Sequence, residues 1–374
     1  MAEFKGIVSA PKLNPMQYGL FSVNKGGPEV SGDSDAAERW VRGFEVDLES
    51  RPNYVRVMDD TDSTTVEVYS DPDAPRYLEV KPFFIEVEDF ASTLGLLGLN
   101  RMERVLRQLE AVTQRTVERE FWEGDIARGR QNDNTYLTDE DTVVVLGGGS
   151  ALPPHHAIAN LERGVGNYSA AGEQGILHIT RDIAALLGSQ YMLTRNDDDP
   201  GHIHIETNSG TTVIIGSGYT GNGVAYNVSN KALTSNVATI TTTNPHYLAV
   251  GETVEVSGVD AVFNGSYTVV ATPTATTFTY AKSNANVSST AVSSATAYAQ
   301  MQASANNKWI YATGTIGIKL GKSEVVNDNL AQAYAVTANN NDMRFKAIRP
   351  VAVYFDTSIH LAVKVSVSTD TVWN

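Results

Sequence analysis

The chain has 374 residues, of which 42% are hydrophobic, and its formal net charge is -15. This length and composition predict a sizeable core divided over two or three folding units, and no apolar run reaches the ~20 residues needed to cross a bilayer. The sequence contains no cysteine, which excludes disulfides, thiolate catalysis and cysteine-bound zinc. The negative charge argues against a protein whose whole surface binds nucleic acid.

The first part of the chain, residues 1–43, predicts an arm without sustained periodicity, because glycine and proline interrupt it at Gly26, Gly27 and Pro28. A short helix fits residues 35–42. No secretory signal is visible at the start, and the absence of cysteine fits folding in the cytoplasm.

An acidic hairpin is predicted next, from alternating polar and apolar residues between positions 44 and 87 with turns at 59–62 and 71–75. Residues 29–90 hold 17 acidic and 6 basic side chains. Such a stretch is most often a solvated surface, and the alternative is a segment steered onto a basic partner. Isolated hairpins are marginally stable, so this one is expected to lie on its own chain or on another copy.

Residues 100–123 predict the clearest helix, because apolar residues recur on one stripe and Gly124 ends it. Glu103 with Arg107, and Arg115 with Glu118, are spaced as ion pairs along its surface. Its arginines indicate either a solvated, ion-paired face or a surface facing nucleic acid or another subunit. They are Arg101, Arg104, Arg107, Arg115 and Arg119.

A mixed region with alternating strand and helix patterns follows this helix. The last strand, 360–367, is predicted to bury one face only, with Lys364 on its polar face. Strands are predicted at 142–146, 175–179, 202–206, 211–215, 309–313, 315–320, 343–355 and 360–367, and helices at 153–162 and 180–193.

Composition shifts sharply at residue 227, and residues 227–300 hold only five charged side chains. Short strand patterns separated by glycine, proline and asparagine turns predict a small β-sandwich inserted into the surrounding domain. The charged residues are Lys231, Glu252, Glu255, Asp260 and Lys282.

Residues 216–221 satisfy the dinucleotide-binding pattern G-x-G-x-x-G, but no helix start follows the third glycine. Pyrophosphate binding needs such a helix, so the segment is interpreted as a glycine-rich connection without a nucleotide.

His202 and His204 would share one strand face beside an acidic loop, where they could bind a metal. The favoured interpretation is an exposed acidic loop that leads into an ordinary strand. The acidic loop is Asp197, Asp198 and Asp199. His155 and His156 are expected to point apart, and residues 148–152 lack the last glycine of a nucleophile elbow. No reaction centre is assembled, so the chain is not expected to be an enzyme, and no catalytic residue, cofactor or metal is assigned.

The order of parts resembles the major capsid protein of tailed bacteriophages, the Hong Kong 97-like fold. The likeness is carried by the helix 100–123 with its ending at 121–125, by residues 175–187, by strands 309–320 and by residues 347–353. Residues 227–300 are similar to the immunoglobulin-like modules of phage structural proteins, through residues 244–251 and 263–269.

The resemblance implies an α+β capsid subunit that forms the hexamers and pentamers of an icosahedral head around double-stranded DNA, located in the virion and assembled in the host bacterial cytoplasm. A separate scaffolding protein, a portal and optional decoration proteins would be its partners, without sequence-specific DNA binding and without a membrane. The implied division is N-terminal arm 1–43, extended loop 44–82, peripheral domain 83–150, axial domain 151–226, immunoglobulin-like insert 227–300, axial domain 301–338 and peripheral strands 339–374.

The sequence departs from the family in its extended loop. Residues 44–80 contain no lysine, so covalent cross-linking between subunits is not expected, and shells should dissociate into single chains under denaturing electrophoresis. The insert is expected on the outer surface and dispensable for assembly. The alternative function is a tail or decoration protein that uses the insert to bind a host surface.

Overall fold

The computed structural model describes residues 17–23, 28–30, 40, 42–48, 54–58, 65–70, 77–92, 101–169, 174–199, 202–327 and 342–367. Within these ranges the fold is α+β, with few helices and many strands. Much of the predicted arm and both acidic turns of the hairpin, at 59–62 and 71–75, lie outside the described residues.

Helix α1, Arg101–Glu123, confirms the long helix predicted from the apolar stripe. Its 23 residues make it about 35 Å long. Gly124 ends it with φ 64°, and a Cβ there would lie 2.2 Å from the Tyr136 ring, so only glycine fits. A short second helix that was not predicted, α2 (Asp125–Arg130), begins directly afterwards.

Helix α1 packs on the first sheet, whose central strand β22 spans Asp342–Phe355. Strand β6 pairs with one edge of β22 in an unbroken antiparallel ladder, and β20 and β21 follow one another along the other edge. Besides β22, the strands of this sheet are β1 (Glu29–Val30), β6 (Phe83–Ser92), β20 (Ile316–Leu320) and β21 (Glu324–Asn327).

The second sheet has seven strands in the order β7-β23-β19-β8-β11-β10-β9. Helices α3 (Pro154–Tyr168) and α4 (Arg181–Ser189) cover one face, and α1 covers part of the other. The strands are β7 (Val144–Val145), β8 (Ile176–Thr180), β9 (Leu193–Asp199), β10 (His202–Thr207), β11 (Thr212–Gly216), β19 (Asn307–Thr313) and β23 (His360–Ser366).

Strand β23 was predicted to bury one face, and that prediction is wrong. Its residues from His360 to Val365 are all buried, because the sheet is covered on both sides. Lys364, expected on the polar face, is 2% exposed.

The chain crosses between the two sheets twice at one place. Gly314 N donates to Ile359 O at 2.9 Å, and Asp356 N donates to Thr315 O at 2.9 Å, where β19 passes to β20 and β22 passes to β23. As a result β20 pairs with β22 in the first sheet, and β19 pairs with β23 in the second. The predicted domain division stays a prediction.

The predicted acidic hairpin consists of two nested antiparallel ladders, β2 with β5 and β3 with β4. At its base, Val80 is buried with Trp40 and Ala352. The strands are β2 (Phe44–Asp47), β3 (Tyr54–Met58), β4 (Thr65–Ser70) and β5 (Tyr77–Val80).

Residues 225–301, called the β-unit from here on, form seven antiparallel strands. Six of them form a closed sheet in the order β13-β16-β15-β14-β18-β12, in which β12 pairs again with β13. Strands β12 and β15 are the longest, with ten residues each. The strands are β12 (Ala225–Thr234), β13 (Val237–Thr242), β14 (Thr253–Ser257), β15 (Gly265–Thr274), β16 (Thr277–Ala281), β17 (Val287–Ala291) and β18 (Tyr298–Met301). Its immunoglobulin-like character stays a prediction.

Candidate functional site

The glycine-rich segment 216–221 holds a carboxylate of its own chain. Ser217 N and Gly218 N both donate to Glu118 Oε2 at 2.8 Å, and Leu20 N donates to Glu118 Oε1 at 3.0 Å. Glu118 is completely buried on α1. The amides that a phosphate would need are therefore occupied by an internal anion, which agrees with the interpretation of this segment as a structural connection.

Close packing explains the glycine at position 218. A Cβ there would lie 2.2 Å from Arg115 O on α1, so a side chain would push the turn off the helix. The ion pair predicted between Arg115 and Glu118 is absent from the described residues, because Glu118 turns inward to the amides while Arg115 stays exposed.

A second glutamate of α1, Glu123, joins the helix to the β-unit. It accepts hydrogen bonds from Asn222 Nδ2 and Gln300 Nε2, both at 2.9 Å, and from the Thr220 hydroxyl. Burial raises the pKa of Glu123, while the bonds from Thr220 and Gln300 oppose that rise. Sequence patterns predicted only a surface ion pair for Glu118 and no role for Glu123, since the partners of both lie about 100 or more residues away.

Two histidines lie buried in the core between α1 and the second sheet. His178 Nδ1 is 2.8 Å from Tyr219 Oη and its Nε2 is 2.9 Å from Thr313 Oγ1, which itself donates to Gly314 O. Burial lowers the pKa of His178 to about 3 and that of His360 to about 4. Both rings are neutral at neutral pH and connect structural elements.

The proposed metal ligands do not assemble into a described site. The register of the β9–β10 hairpin places His202 opposite Asp199, but the side chains of 197–199 and of His202 lie outside the described residues. His204 Nε2 contacts Glu206 Oε1 at 2.6 Å. No group of three His, Asp or Glu side chains able to hold a metal occurs in the described part of the chain.

The remaining sequence candidates lie at the surface. The rings of His155 and His156 were expected to point apart, but they pack edge to face with centroids 4.4 Å apart, because both lie exposed in the first turn of α3. Ser150 is exposed after the 3-10 turn Gly147–Gly149, and a Cβ on Gly149 would meet the Tyr247 ring.

A buried ion pair connects the β-unit to the second sheet. Lys364 Nζ on β23 lies 3.0 Å from Glu252 Oε2 and also donates to Tyr247 O, while Asn307 Nδ2 donates to Glu252 Oε1 at 3.0 Å. Burial lowers the pKa of Lys364, and the Glu252 carboxylate opposes that change. Charged residues leave water only when they are paired and hydrogen-bonded, so this cluster fixes how the β-unit lies on the sheet.

Arg128 of α2 makes a further contact with the β-unit. Its guanidinium lies 4.0 Å from the centroid of the Tyr298 ring on β18, and Asn227 N donates to Glu140 Oε1 at 2.9 Å beside it. Burial raises the pKa of Glu140. Polar contacts at several places therefore hold the β-unit on the rest of the chain, beside the apolar cluster that the two share.

The arginines of α1 follow the first of the two predicted alternatives only in part. Arg107 pairs with Glu103 at 3.2 Å, as predicted, and Arg104 Nε lies 3.5 Å from Asp89 Oδ2. Arg115 and Arg119 are exposed and form no ion pair with any residue that the structure describes. No described helix is long and apolar enough to span a membrane.

No protein-family model and no curated protein matches the sequence. Among solved structures, the chain is similar to the capsid of an empty GTA particle, with 10% identity and a TM-score of 0.44 over 98% of this chain and 97% of that one. It is also similar to Mycobacterium phage Che8, with 9% identity and a TM-score of 0.40 over 97% of each chain. A third similar structure is the SrpI encapsulin complex from Synechococcus elongatus PCC 7942, with 12% identity and a TM-score of 0.34 over 97% of this chain and 94% of that one. At these values the likeness assigns no function to the chain.

Proposed function

We propose that this chain is the major capsid protein of a tailed bacteriophage, a structural subunit that forms hexamers and pentamers of an icosahedral head around double-stranded DNA. It would be located in the virion and assembled in the host bacterial cytoplasm. The observation that carries the proposal is the acidic hairpin formed by β2, β3, β4 and β5.

Only the base of the hairpin has a described contact surface on its own chain, where Phe44, Val46 and Leu78 pack against Trp40 and Ala352. Its two ladders form separate two-stranded sheets, and neither pairs with a third strand anywhere in the described ranges. Residues 44–80 hold ten acidic and three basic side chains, a net charge of -7. A two-stranded ladder is marginal in water, so a partner outside this chain is needed to stabilise it, and another copy is the simplest partner.

The rest of the chain has the properties of a rigid building block. Helix α1, both sheets and the β-unit share one apolar cluster. Polar groups inside it, including Glu118, Glu123 and His178, are hydrogen-bonded to other parts of the chain. Structural cohesion uses these groups, which supports a role without catalysis.

Contacts between subunits are proposed to be non-covalent. The lysine nearest to the hairpin is Lys81 at its base, where Nζ donates to Arg42 O at 3.1 Å and pairs with Glu79. A separate scaffolding protein and a portal are the proposed assembly partners, and decoration proteins are optional ones.

Electron microscopy of the purified chain, expressed with its scaffolding protein, tests the proposal. We expect closed shells from the natural sequence. A variant in which a short Gly-Ser linker replaces residues 49–75 should remain folded, because β2 and β5 can still pair. It should form no shells, because the part of the hairpin proposed to contact another copy is gone. Exchange of the turn 274–276, in which Thr274 and Ala275 are exposed, for Gly-Ser-Gly is the control and should leave shells intact. Fibres or tubes from the natural chain would instead favour the tail or decoration protein, and shells from the shortened hairpin would contradict the proposal.

A further inference from the structure

A cluster of three side chains with matching reactivity lies where the β-unit meets the second sheet. Its members are Lys364 of β23, Asn307 at the start of β19, and Glu252, which directly precedes β14. Lys364 is 2% exposed and Glu252 is 9% exposed, so both functional groups are withdrawn from water. A primary amine, a primary amide and a carboxylate are the groups that can join two side chains through a new amide bond.

The register of the second sheet brings the amine and the amide together. Strands β19 and β23 are antiparallel, with Trp309 opposite Lys364. Asn307 lies two residues before Trp309 on the same strand, so it shares a face of the sheet with Lys364 and is its diagonal neighbour. Diagonal neighbours are about 7–8 Å apart at the backbone, a distance that a lysine side chain can bridge.

One oxygen atom of Glu252 contacts both nitrogen atoms. Asn307 Nδ2 donates to Glu252 Oε1 at 3.0 Å, and Lys364 Nζ donates to the same oxygen at 3.1 Å. Ala249 N donates to the other oxygen, Oε2, at 2.8 Å and so fixes the direction of the carboxylate. A carboxylate that touches both nitrogens can take a proton from one and give it to the other.

The surroundings of Lys364 favour a nucleophilic amine. The buried Trp309 ring, with its centroid 5.5 Å from Nζ, covers the amine, and Tyr247 O accepts a hydrogen bond from it. Burial lowers the pKa of Lys364, and the Glu252 carboxylate opposes that change. An uncharged amine has the free electron pair that attacks a carbonyl carbon, and removal from water is one way in which proteins activate lysine for such attack.

We propose that Lys364 and Asn307 form an isopeptide bond within the chain, and that Glu252 is the catalytic residue of this reaction. The bond between Lys364 Nζ and Asn307 Cγ forms while the bond between Cγ and Nδ2 breaks. Glu252 takes two of the three Nζ protons in turn and passes them to Nδ2, which leaves as ammonium. The third proton stays on the new amide and the Glu252 carboxylate is regenerated, so atoms and charge balance without another reactant.

The ion pair between Lys364 and Glu252 is the state of the cluster before this reaction, which occurs once in each chain. The product connects two neighbouring strands of the second sheet and closes a ring from residue 307 to residue 364 that includes β20 and β22 of the first sheet. Such a ring restricts the unfolded chain. The inference goes beyond the proposed function and does not depend on it. Because the bond lies within one chain, it agrees with shells that dissociate into single chains.

Mass spectrometry of the full-length natural chain tests the proposal directly. After purification and prolonged incubation of the folded protein, the intact mass should be lower than the sequence mass by one ammonia molecule. Proteolysis should then give one branched peptide that joins the segments around Asn307 and Lys364. The full sequence mass in the folded protein, or separate peptides for the two segments, would overturn the proposal.

Variants of the full chain assign the roles of the residues. Lys364→Arg keeps a positive charge beside Glu252 and should have the full sequence mass, because a guanidinium stays protonated and does not attack the amide. Lys308→Arg is the matched control and should still lose ammonia, because Lys308 is next to Trp309 in β19 and therefore points to the opposite face of the sheet. Glu252→Gln should form the bond far more slowly than the natural chain, or not at all.

The outcomes are distinct from one another. Ammonia lost from another amide, for example by cyclisation at Asn264 and Gly265, would persist in Lys364→Arg and would give no branched peptide, which would contradict the bond. Ammonia loss at the natural rate in folded Glu252→Gln would contradict the catalytic role of Glu252. The branched peptide of the natural chain decides the bond itself even where a variant fails to fold. Shell formation is read separately by electron microscopy, so either proposal can fail without the other.

Discussion

Single buried polar residues determine how distant segments of this chain meet. Glu118 accepts three backbone N–H groups from two segments, and His178 connects β8 to Tyr219 and Thr313. Each such group is hydrogen-bonded in place, and removal of one partner leaves buried donors without an acceptor. The cost of such a change exceeds that of any surface ion pair on α1.

Replacement of Glu118 by alanine tests this point. Glu118→Ala leaves the amides of Leu20, Ser217 and Gly218 without their acceptor, and each unsatisfied buried donor costs about 1–3 kcal/mol. We expect the free energy of unfolding, measured by urea titration, to fall by at least about 3 kcal/mol. Glu103→Ala on the same helix removes only an exposed ion pair and should cost less than about 1 kcal/mol. Equal losses in the two variants would show that the buried Glu118 carboxylate contributes no more to stability than an exposed ion pair.

His178 predicts a pH dependence of stability with a defined sign. The unfolded chain takes up a proton near the usual histidine pKa of about 6.5, whereas the folded chain resists it until about pH 3. Protonation therefore favours unfolding, and stability is lost as the pH falls from about 6.5 towards 3. For one such group the loss between pH 7 and pH 5 is about 2 kcal/mol.

The measurement compares thermal or urea unfolding at pH 7 and pH 5. We expect His178→Gln to be less stable than the natural chain at pH 7 but to lose about 2 kcal/mol less on acidification. Burial raises the pKa of Glu123, which gives an opposite slope, but that contribution is common to both proteins. His155→Gln, at an exposed position, should keep the natural slope. An unchanged slope in His178→Gln would contradict the assignment of a neutral buried ring.

At the scale of elements, periodicity identified what local sequence determines and missed what packing determines. The long helix, its end at Gly124 and most strands were predictable, because apolar spacing and a left-handed glycine are local signals. The burial of Lys364 was not predictable, because an alternating strand has the same sequence pattern whether one face or both faces of its sheet are covered. The hydrogen bonds to Glu118 were equally hidden, since their backbone donors come from two distant parts of the sequence, residue 20 and residues 217–218.

The Lys364–Glu252 pair predicts strong coupling between β23 and the β-unit. Removal of either partner alone, by Lys364→Met or Glu252→Gln, leaves the other buried group unpaired and should lower the free energy of unfolding by about 3–5 kcal/mol. The double variant should lose clearly less than the sum, as measured in a double-mutant cycle. The exposed pair of Lys81 and Glu79 is the control and should show a coupling of less than about 1 kcal/mol. Additive losses at Lys364 and Glu252 would mean that the pair does not connect the two elements.

At the scale of the whole molecule, the β-unit is both an insertion and a packed part of the body. Its entry and exit strands are neighbours, since Ala225 pairs with Gln300 and Gly223 N donates to Met301 O at 2.9 Å. Its core, however, is continuous with that of α1 and the sheets. Adjacent ends favour removal of the unit, and the shared core opposes it.

Whether the chain folds without the β-unit depends on the groups that the unit covers. The surrounding domain presents five polar groups to it, and all of them can be hydrated once the unit is gone: Lys364, Glu140, Arg128, Asn307 and Glu123, the last of which loses its Gln300 partner. Apolar contacts are lost along the shared cluster, which includes the buried Trp309 ring. We therefore expect a variant in which a short Gly-Ser linker replaces residues 227–300 to fold, with a lower melting temperature, and to form shells with the scaffolding protein. Each kcal/mol lost should lower the melting temperature by about 2–4 °C.

Electron microscopy of this variant also tests the proposed outer position of the β-unit. Difference density between natural and shortened shells should lie on the outer surface, because near-neutral charge gives residues 227–300, with two lysines and three carboxylates, little attraction for phosphate. The matched control keeps the unit and adds Gly-Ser pairs at both junctions, so that it disturbs the strand pairing of Ala225 with Gln300 without removing any core. Aggregates from the shortened chain together with shells from the control would show that the unit carries an essential contact. Difference density on the inner surface would show that the unit faces the packaged DNA.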